Sequence, residues 1–246
     1  MQKSDQKHNN NIQPSDKKFH AETDPHKKSR LADIILGGQD GLVNVLGVIL
    51  GVVAASQNSR LVIAAGMAAT FAESVSMGAV AYTSNRAETS HYKSEKAREH
   101  RHINKVPELE KQEIYDIYRE KGFEGDMLEK VVETITSDKD IWVKEMMANE
   151  HDLAPQDSQK PFIKAIIVFI SAVIGSLIPL TPFFFLPIQA GAISSLLVSA
   201  VTLYAVGYYK AKRTIGHAGR SGLEMTAIGM ASALVGYFVG SLFKAS

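Results

Sequence analysis

The chain contains no cysteine. That excludes disulfides, thiolate metal ligands and iron–sulfur clusters built on it. An excess of charge of either sign is also missing: 27 Lys and Arg face 26 Asp and Glu, leaving a formal net charge of +1. Such a balance gives no reason to expect a nucleic-acid partner. Residues 1–30 lack an apolar run, so they do not read as a secretory signal peptide. Their Lys, Asp, Asn, Gln and His content predicts a disordered tail instead. Mean hydropathy is close to zero, at -0.05, but this average conceals strong segregation.

Leu31–Ala55, Leu61–Thr83, Phe162–Leu180, Phe183–Tyr209 and Leu223–Phe243 are apolar. At ~1.5 Å per residue each can cross a hydrocarbon core of ~30 Å as a helix. The fold class predicted is therefore an all-α membrane protein with five transmembrane helices. Spans 1 and 2 occupy residues 31–84, and spans 3 to 5 occupy residues 161–243. Between them, residues 85–160 form a charge-rich helical insert. Basic residues orient the whole: 25 of the 27 Lys and Arg fall on the side of the tail, the insert and the loop 210–220, leaving Arg60 and Lys244 opposite. The positive-inside rule puts tail and insert in the cytoplasm.

Acidic side chains interrupt the first two spans. Asp40 lies ~14 Å into the first from one face, and Glu73 ~18 Å into the second from the other. Antiparallel neighbours would hold them at similar depth. Asn44 follows Asp40 by one turn, and Met77 follows Glu73 by one turn, each on a shared face. An ionisable group at mid-membrane costs about 2.5–3.5 kcal/mol on insertion scales and marks an ion or proton path by default. Carboxylates suit hard divalent ions, while a thioether shifts preference toward transition metals. A carboxylate buried there would also trade a proton for a metal ion. Four-residue glycine spacing at Gly47–Gly51 and Gly236–Gly240 predicts close helix packing.

In the polar region the second span is expected to run on as a helix through Ile103. Pro107 opens the next helix and Gly122 closes it. Residues 126–136 form a short amphipathic helix. Ser137 with Asp140 suggests a capping box ahead of the helix bearing Trp142 and Met146. Glu99 with His102, Glu110 with Glu113, and Met146 with Glu150 pair at helical spacing on three helices. Glu95, Glu108, Glu145 and Met147 accompany them. If the three faces converge, they form an oxygen-rich metal site with an imidazole and a thioether. If they do not, they are a solvated acidic surface, which spacing alone favours. Glu88–His91 and Glu99–His102 also match the Glu-x-x-His spacing of di-iron bundles, but both lie on one helix. A membrane-anchored ferroxidase or a metal-sensing scaffold therefore remains as an alternative to transport.

Several strings together resemble the vacuolar iron transporter family: Ile35-Leu-Gly-Gly-Gln-Asp-Gly-Leu-Val43, Ser76-Met77-Gly-Ala, Pro107-Glu-Leu-Glu, Trp142-Val-Lys-Glu-Met-Met147 with Glu150, Ile178-Pro-Leu-Thr-Pro182 and Gly219-Arg-Ser-Gly-Leu-Glu-Met225. They run in the family's order. The resemblance implies a homodimer of five-span subunits that exports cytosolic Fe²⁺, and Mn²⁺ as a second cargo, in exchange for protons. It implies a path lined by Asp40 and Met77 near the dimer axis. It also implies metal capture by Glu99, His102, Glu110, Glu113, Met146 and Glu150. No resident cofactor is expected, the metal being cargo. The membrane would be the plasma membrane in a prokaryote and the vacuolar membrane in a eukaryote. Two departures stand out. The family's Gly-Glu-Tyr step is here Val80-Ala81-Tyr82, with Glu73 two turns earlier, and His102 stands where the family has Glu.

Overall fold

The computed structural model describes residues 25–151, 153, 161–213 and 216–243. Most of the tail, with His8 and His20, lies outside them. Every regular element among the described residues is helical: α1 (Pro25–Ala55), α2 (Ser59–Lys105), α3 (Pro107–Glu120), α4 (Gly125–Thr136), α5 (Lys139–Asn149), α6 (Pro161–Leu180), α7 (Ile188–Arg213) and α8 (Ala218–Leu242), with a 3₁₀ turn at Thr181–Phe184. Five of these, α1, α2, α6, α7 and α8, are long and apolar enough to cross a membrane. The chain divides into two compact units, one built from residues up to Gly78 and from Ile166 onward, the other from Ala79–Ala165.

In the first unit, α1 and α2 are joined by three residues only. Asn58 stops the chain from running on: its side-chain oxygen accepts from the backbone N–H of Arg60 at 2.9 Å and starts α2. α8 packs along α1 through facing glycines. A Cβ on Gly236 or Gly240 would fall on the carbonyl oxygen of Gly47 or Gly51, respectively. The predicted glycine spacing thus serves a backbone-to-backbone contact that no side chain can share. Gly236→Val should cost about 1–3 kcal/mol, the usual range for overpacking. The check is a lowered melting temperature in detergent, with Val239→Ala, on an exposed position, as the near-neutral control.

Outward faces of the same unit are apolar. Ile166, Ile170 and Ile174 recur every four residues on α6 and are all exposed, as are Leu234, Val235, Phe238 and Leu242 on α8. Large exposed apolar faces on helices of spanning length are what lipid contact requires. Two buried polar side chains of α2 bond to the helix itself: Thr70 donates to the Gly66 carbonyl at 2.8 Å and Ser74 to that of Thr70 at 2.7 Å. Ser195 donates across to the Pro179 carbonyl at 2.7 Å, tying α7 to the end of α6.

The fourth long helix begins at Ile188 rather than at Phe183. Pro182 and Pro187 both lack an N–H, so the chain tightens into a 3₁₀ turn at Thr181–Phe184 and turns before α7 instead of continuing as α-helix. Pro187 supplies the first carbonyl of α7, accepting from Gly191 N–H at 2.7 Å.

In the second unit, α2 continues without a break to Lys105. Its last turns, with α3, α4 and α5, enclose a core of Ile103, Ile114, Leu128, Val132, Trp142 and Met146, among others. Each such side chain contributes about 1.5–3 kcal/mol on burial. Pro107 is the first residue of α3, and Gly122, with φ +89°, follows its end. The cap of α5 is Asp138, not Ser137: its carboxylate accepts from Asp140 N–H at 2.8 Å and Ile141 N–H at 3.1 Å. Ser137 instead closes α4, donating to the Thr134 carbonyl at 2.8 Å.

Candidate metal sites

The first set of polar groups lies in the first unit. Asp40 is fifteen residues before the end of α1, and Glu73 is fourteen residues after the start of α2. The tight turn between these helices therefore brings the two carboxylates to the same depth, ~21–23 Å from it at helical rise. Glu73 lies within electrostatic and hydrogen-bonding reach of both Asp40 and Asn44. Asn44 Nδ2 donates to Asp40 Oδ2 at 3.3 Å. Asp40 and Glu73 are half-buried, and Asn44 is exposed. Met77, half-buried, follows one turn beyond Glu73 on α2. These groups offer hard oxygens on a helix pair of spanning length.

The second set lies in the second unit, where the chain brings together residues from α2, from α3 and from the end of α5. Glu99 is 1 % exposed and Glu110 3 %. Each has one carboxylate oxygen, Oε2, that is buried without a hydrogen-bond partner. Buried, unsatisfied carboxylate oxygens are expensive and call for a proton or a cation. His102 Nδ1 is 3.4 Å from Glu110 Oε1. Glu99, His102 and Glu110 can each offer one ligand atom, all within 4.8 Å of one another. Glu150 is near enough to Glu113 to raise the proton affinity of Glu113, and Glu99 and Glu150 both act on Glu110. Met146 is fully buried in the apolar core one turn before Glu150.

Other members of the predicted acidic set are engaged elsewhere. Tyr118 donates to Glu145 Oε1 at 2.6 Å. Glu95 pairs with Arg98 at 2.8 Å. Glu108 is exposed on the first turn of α3. Glu88 and His91 are both exposed, so the di-iron spacing has only one of its two pairs at a buried site. One residue that spacing did not single out joins the cluster. His151 follows α5 and places Nε2 3.0 Å from Glu99 Oε1 and 3.6 Å from Glu150 Oε2.

Burial, then repulsion from Glu113, Glu99 and Glu150, pushes Glu110 up to about 7. Glu113 is raised as well, mainly by burial and by Glu150. A carboxyl with a raised folded-state value favours folding most at low pH. That contribution is lost as pH climbs from the ordinary carboxylate range through about 7. A bound divalent ion would oppose this loss and displace the proton. Metal affinity should therefore rise about tenfold between pH 6 and pH 8 for one displaced proton. Titrating the full-length protein with Mn²⁺ or Co²⁺ at both pH values checks this, and Glu110→Gln should flatten the dependence.

The model of the VIT family matches residues 31–241. A protein named vacuolar iron transporter 1 from Tulipa gesneriana is 31 % identical over 206 residues, 83 % of each chain. One of the same name from Arabidopsis thaliana is 32 % identical over 198 residues, 80 % of this chain and 79 % of the relative. The vacuolar iron transporter of Plasmodium falciparum is 30 % identical over 235 residues, 92 % of this chain and 86 % of the relative.

Proposed function

Since this chain belongs to the VIT family and is a multi-pass membrane transporter rather than an enzyme, we propose that it exports cytosolic Fe²⁺, with Mn²⁺ as a second cargo, in exchange for protons. The observation that carries this reading is the meeting of Asp40, Glu73 and Asn44 at one depth of two membrane-length helices. Nothing in lipid would stabilise those groups, whereas a partly dehydrated divalent ion or a proton would.

The cycle has four steps. Glu99, His102, Glu110, Glu113 and Glu150, with Met146 behind them, concentrate metal on the cytoplasmic side. The ion passes to Asp40 and Glu73, with Met77 adding a soft donor. The far side opens, and protons displace the ion by neutralising the carboxylates. The protonated site returns. Two acids in reach of one another suit this exchange, because like charges disfavour joint ionisation without a cation. Glu73 takes the part of the glutamate that is absent at Ala81.

A homodimer completes the path in this reading. Asn44 is exposed and Asp40 half-exposed on an otherwise apolar span, and a second copy would cover them. The polar unit lies in the cytoplasm with the basic loops. The membrane is one that borders the cytosol, vacuolar or plasma according to the cell. The test is uptake of Fe²⁺, Mn²⁺, Co²⁺ and Zn²⁺ into proteoliposomes holding the full-length chain, under an imposed pH gradient. Gradient-driven uptake led by Fe²⁺ or Mn²⁺ is expected. Uptake of none of them, or uptake blind to the gradient, would reject the reading.

A further inference from the structure

We infer that His151 is a metal ligand, forming with Glu99 and Glu150 a nitrogen-containing position beside the one formed by Glu99, His102 and Glu110. The inference rests on the capture role proposed above and adds a residue and a ligand class to it.

Three observations carry it. First, Glu99, Glu150 and His151 present ligand atoms within 4.8 Å of one another. The separations from His151 Nε2, 3.0 Å to Glu99 Oε1 and 3.6 Å to Glu150 Oε2, bracket what one ion demands. Bonds of ~2.1 Å put neighbouring ligand atoms ~3.0 Å apart in an octahedron and ~3.4 Å apart in a tetrahedron. Second, Glu99 is almost wholly buried, and its Oε2 has no hydrogen-bond partner. One oxygen can thus serve each position. Third, His151 Nε2 is contested. Arg98 Nη2 approaches it at 3.5 Å, while Glu99 Oε1 approaches at 3.0 Å. A neutral ring nitrogen accepts or donates, so it cannot satisfy both. The lone pair of the Nδ1-protonated form points at a place where a cation would satisfy Glu99, Glu150 and His151 together.

Arg98 supplies positive charge near that place, its Nε lying 3.7 Å from Glu99 Oε1. It has another partner in Glu95 at 2.8 Å, and its side chain is 42 % exposed. It can therefore yield to a metal ion by turning toward Glu95 and solvent. With His102 and His151 flanking a shared carboxylate, each position holds one imidazole. Imidazole with carboxylate suits Fe²⁺, Co²⁺ and Zn²⁺, and disfavours Mg²⁺ and Ca²⁺.

The experiment is X-ray absorption at the cobalt edge, with calorimetry, on the full-length protein in detergent carrying no polyhistidine tag. Wild type, His151→Gln, His151→Asn and Glu99→Gln are each loaded with Co²⁺ below saturation. Imidazole scattering should be evident in wild type and reduced in both His151 variants, with affinity at least about tenfold weaker. The melting temperature of the metal-free variants should match wild type. Unchanged scattering and affinity in the His151 variants, with binding lost in Glu99→Gln, would overturn the role of His151 and leave metal capture standing. Binding unaffected by Glu99→Gln as well would overturn both.

Discussion

Asp40→Asn should abolish metal flux while the protein still folds and assembles. The substitution keeps the side chain's size and its ability to bond Asn44, which already meets Asp40 at 3.3 Å. What disappears is the negative charge beside Glu73. Leaving a poorly solvated ion without its counter-charge costs about 3–5 kcal/mol. In the variant, an ion resting beside Glu73 would face a neutral amide in place of the second carboxylate. It would therefore be about two to four orders of magnitude less populated, and uptake into proteoliposomes should fall to background. The size-exclusion profile should stay that of wild type, because Asp40 is only half-buried and the amide has the same size. Normal uptake by the variant would remove Asp40 from the path.

Glu99→Gln has the second largest expected effect. Glu99 is common to both ligand triads, so one substitution weakens both, whereas Glu113 and Glu150 sit toward the rim. Metal affinity of the full-length protein should fall about 100-fold, at the upper end of what loss of a metal-site partner costs. Transport should show the loss mainly at low metal concentration, as a raised KM. The metal-free protein should melt no lower than wild type, because the amide keeps the size of the side chain and removes its repulsion of Glu110 and Glu113. Calorimetry and a thermal scan with and without Co²⁺ separate these effects. A variant that binds as tightly as wild type would show the cluster to be a packing feature only.

The five long helices were legible because lipid imposes the simplest of patterns, a run of apolar residues of fixed length. So were the turn-forming signals with a local mechanism, such as Pro107 at the head of α3 and Gly122 beyond its end. Where two local signals competed, the sequence was less decisive. Phe183 to Leu186 are as apolar as the span that follows, and only the two missing N–H groups of Pro182 and Pro187 keep them out of α7. Ser137 and Asp138 are both capable caps, and the hydroxyl of Ser137 is taken by the Thr134 carbonyl while the carboxylate of Asp138 caps α5.

The polar cluster was legible as pairs but not as a site. Spacing put Glu99 and His102 on one face, yet whether three helices turn their faces to one point depends on core residues such as Ile114 and Trp142. Glu145 shows the limit. It shares a helix with Met146, but a hydrogen bond from Tyr118 holds it away. His151 carried no periodic signal at all. It lies past the last turn of α5, where its N–H bonds back to the Met146 carbonyl at 3.4 Å, and only that backbone reversal brings its ring to Glu99.

The central claim is that a divalent ion and protons compete for Asp40 and Glu73 midway across the membrane. It is tested most directly by following metal and proton together in one population of proteoliposomes, with a metal indicator and a pH indicator sealed inside. The account predicts that protons leave as Fe²⁺ or Mn²⁺ enters, in a fixed ratio, and that both movements vanish in Asp40→Asn. Metal entering while the internal pH holds steady, or both movements persisting in the variant, would contradict it.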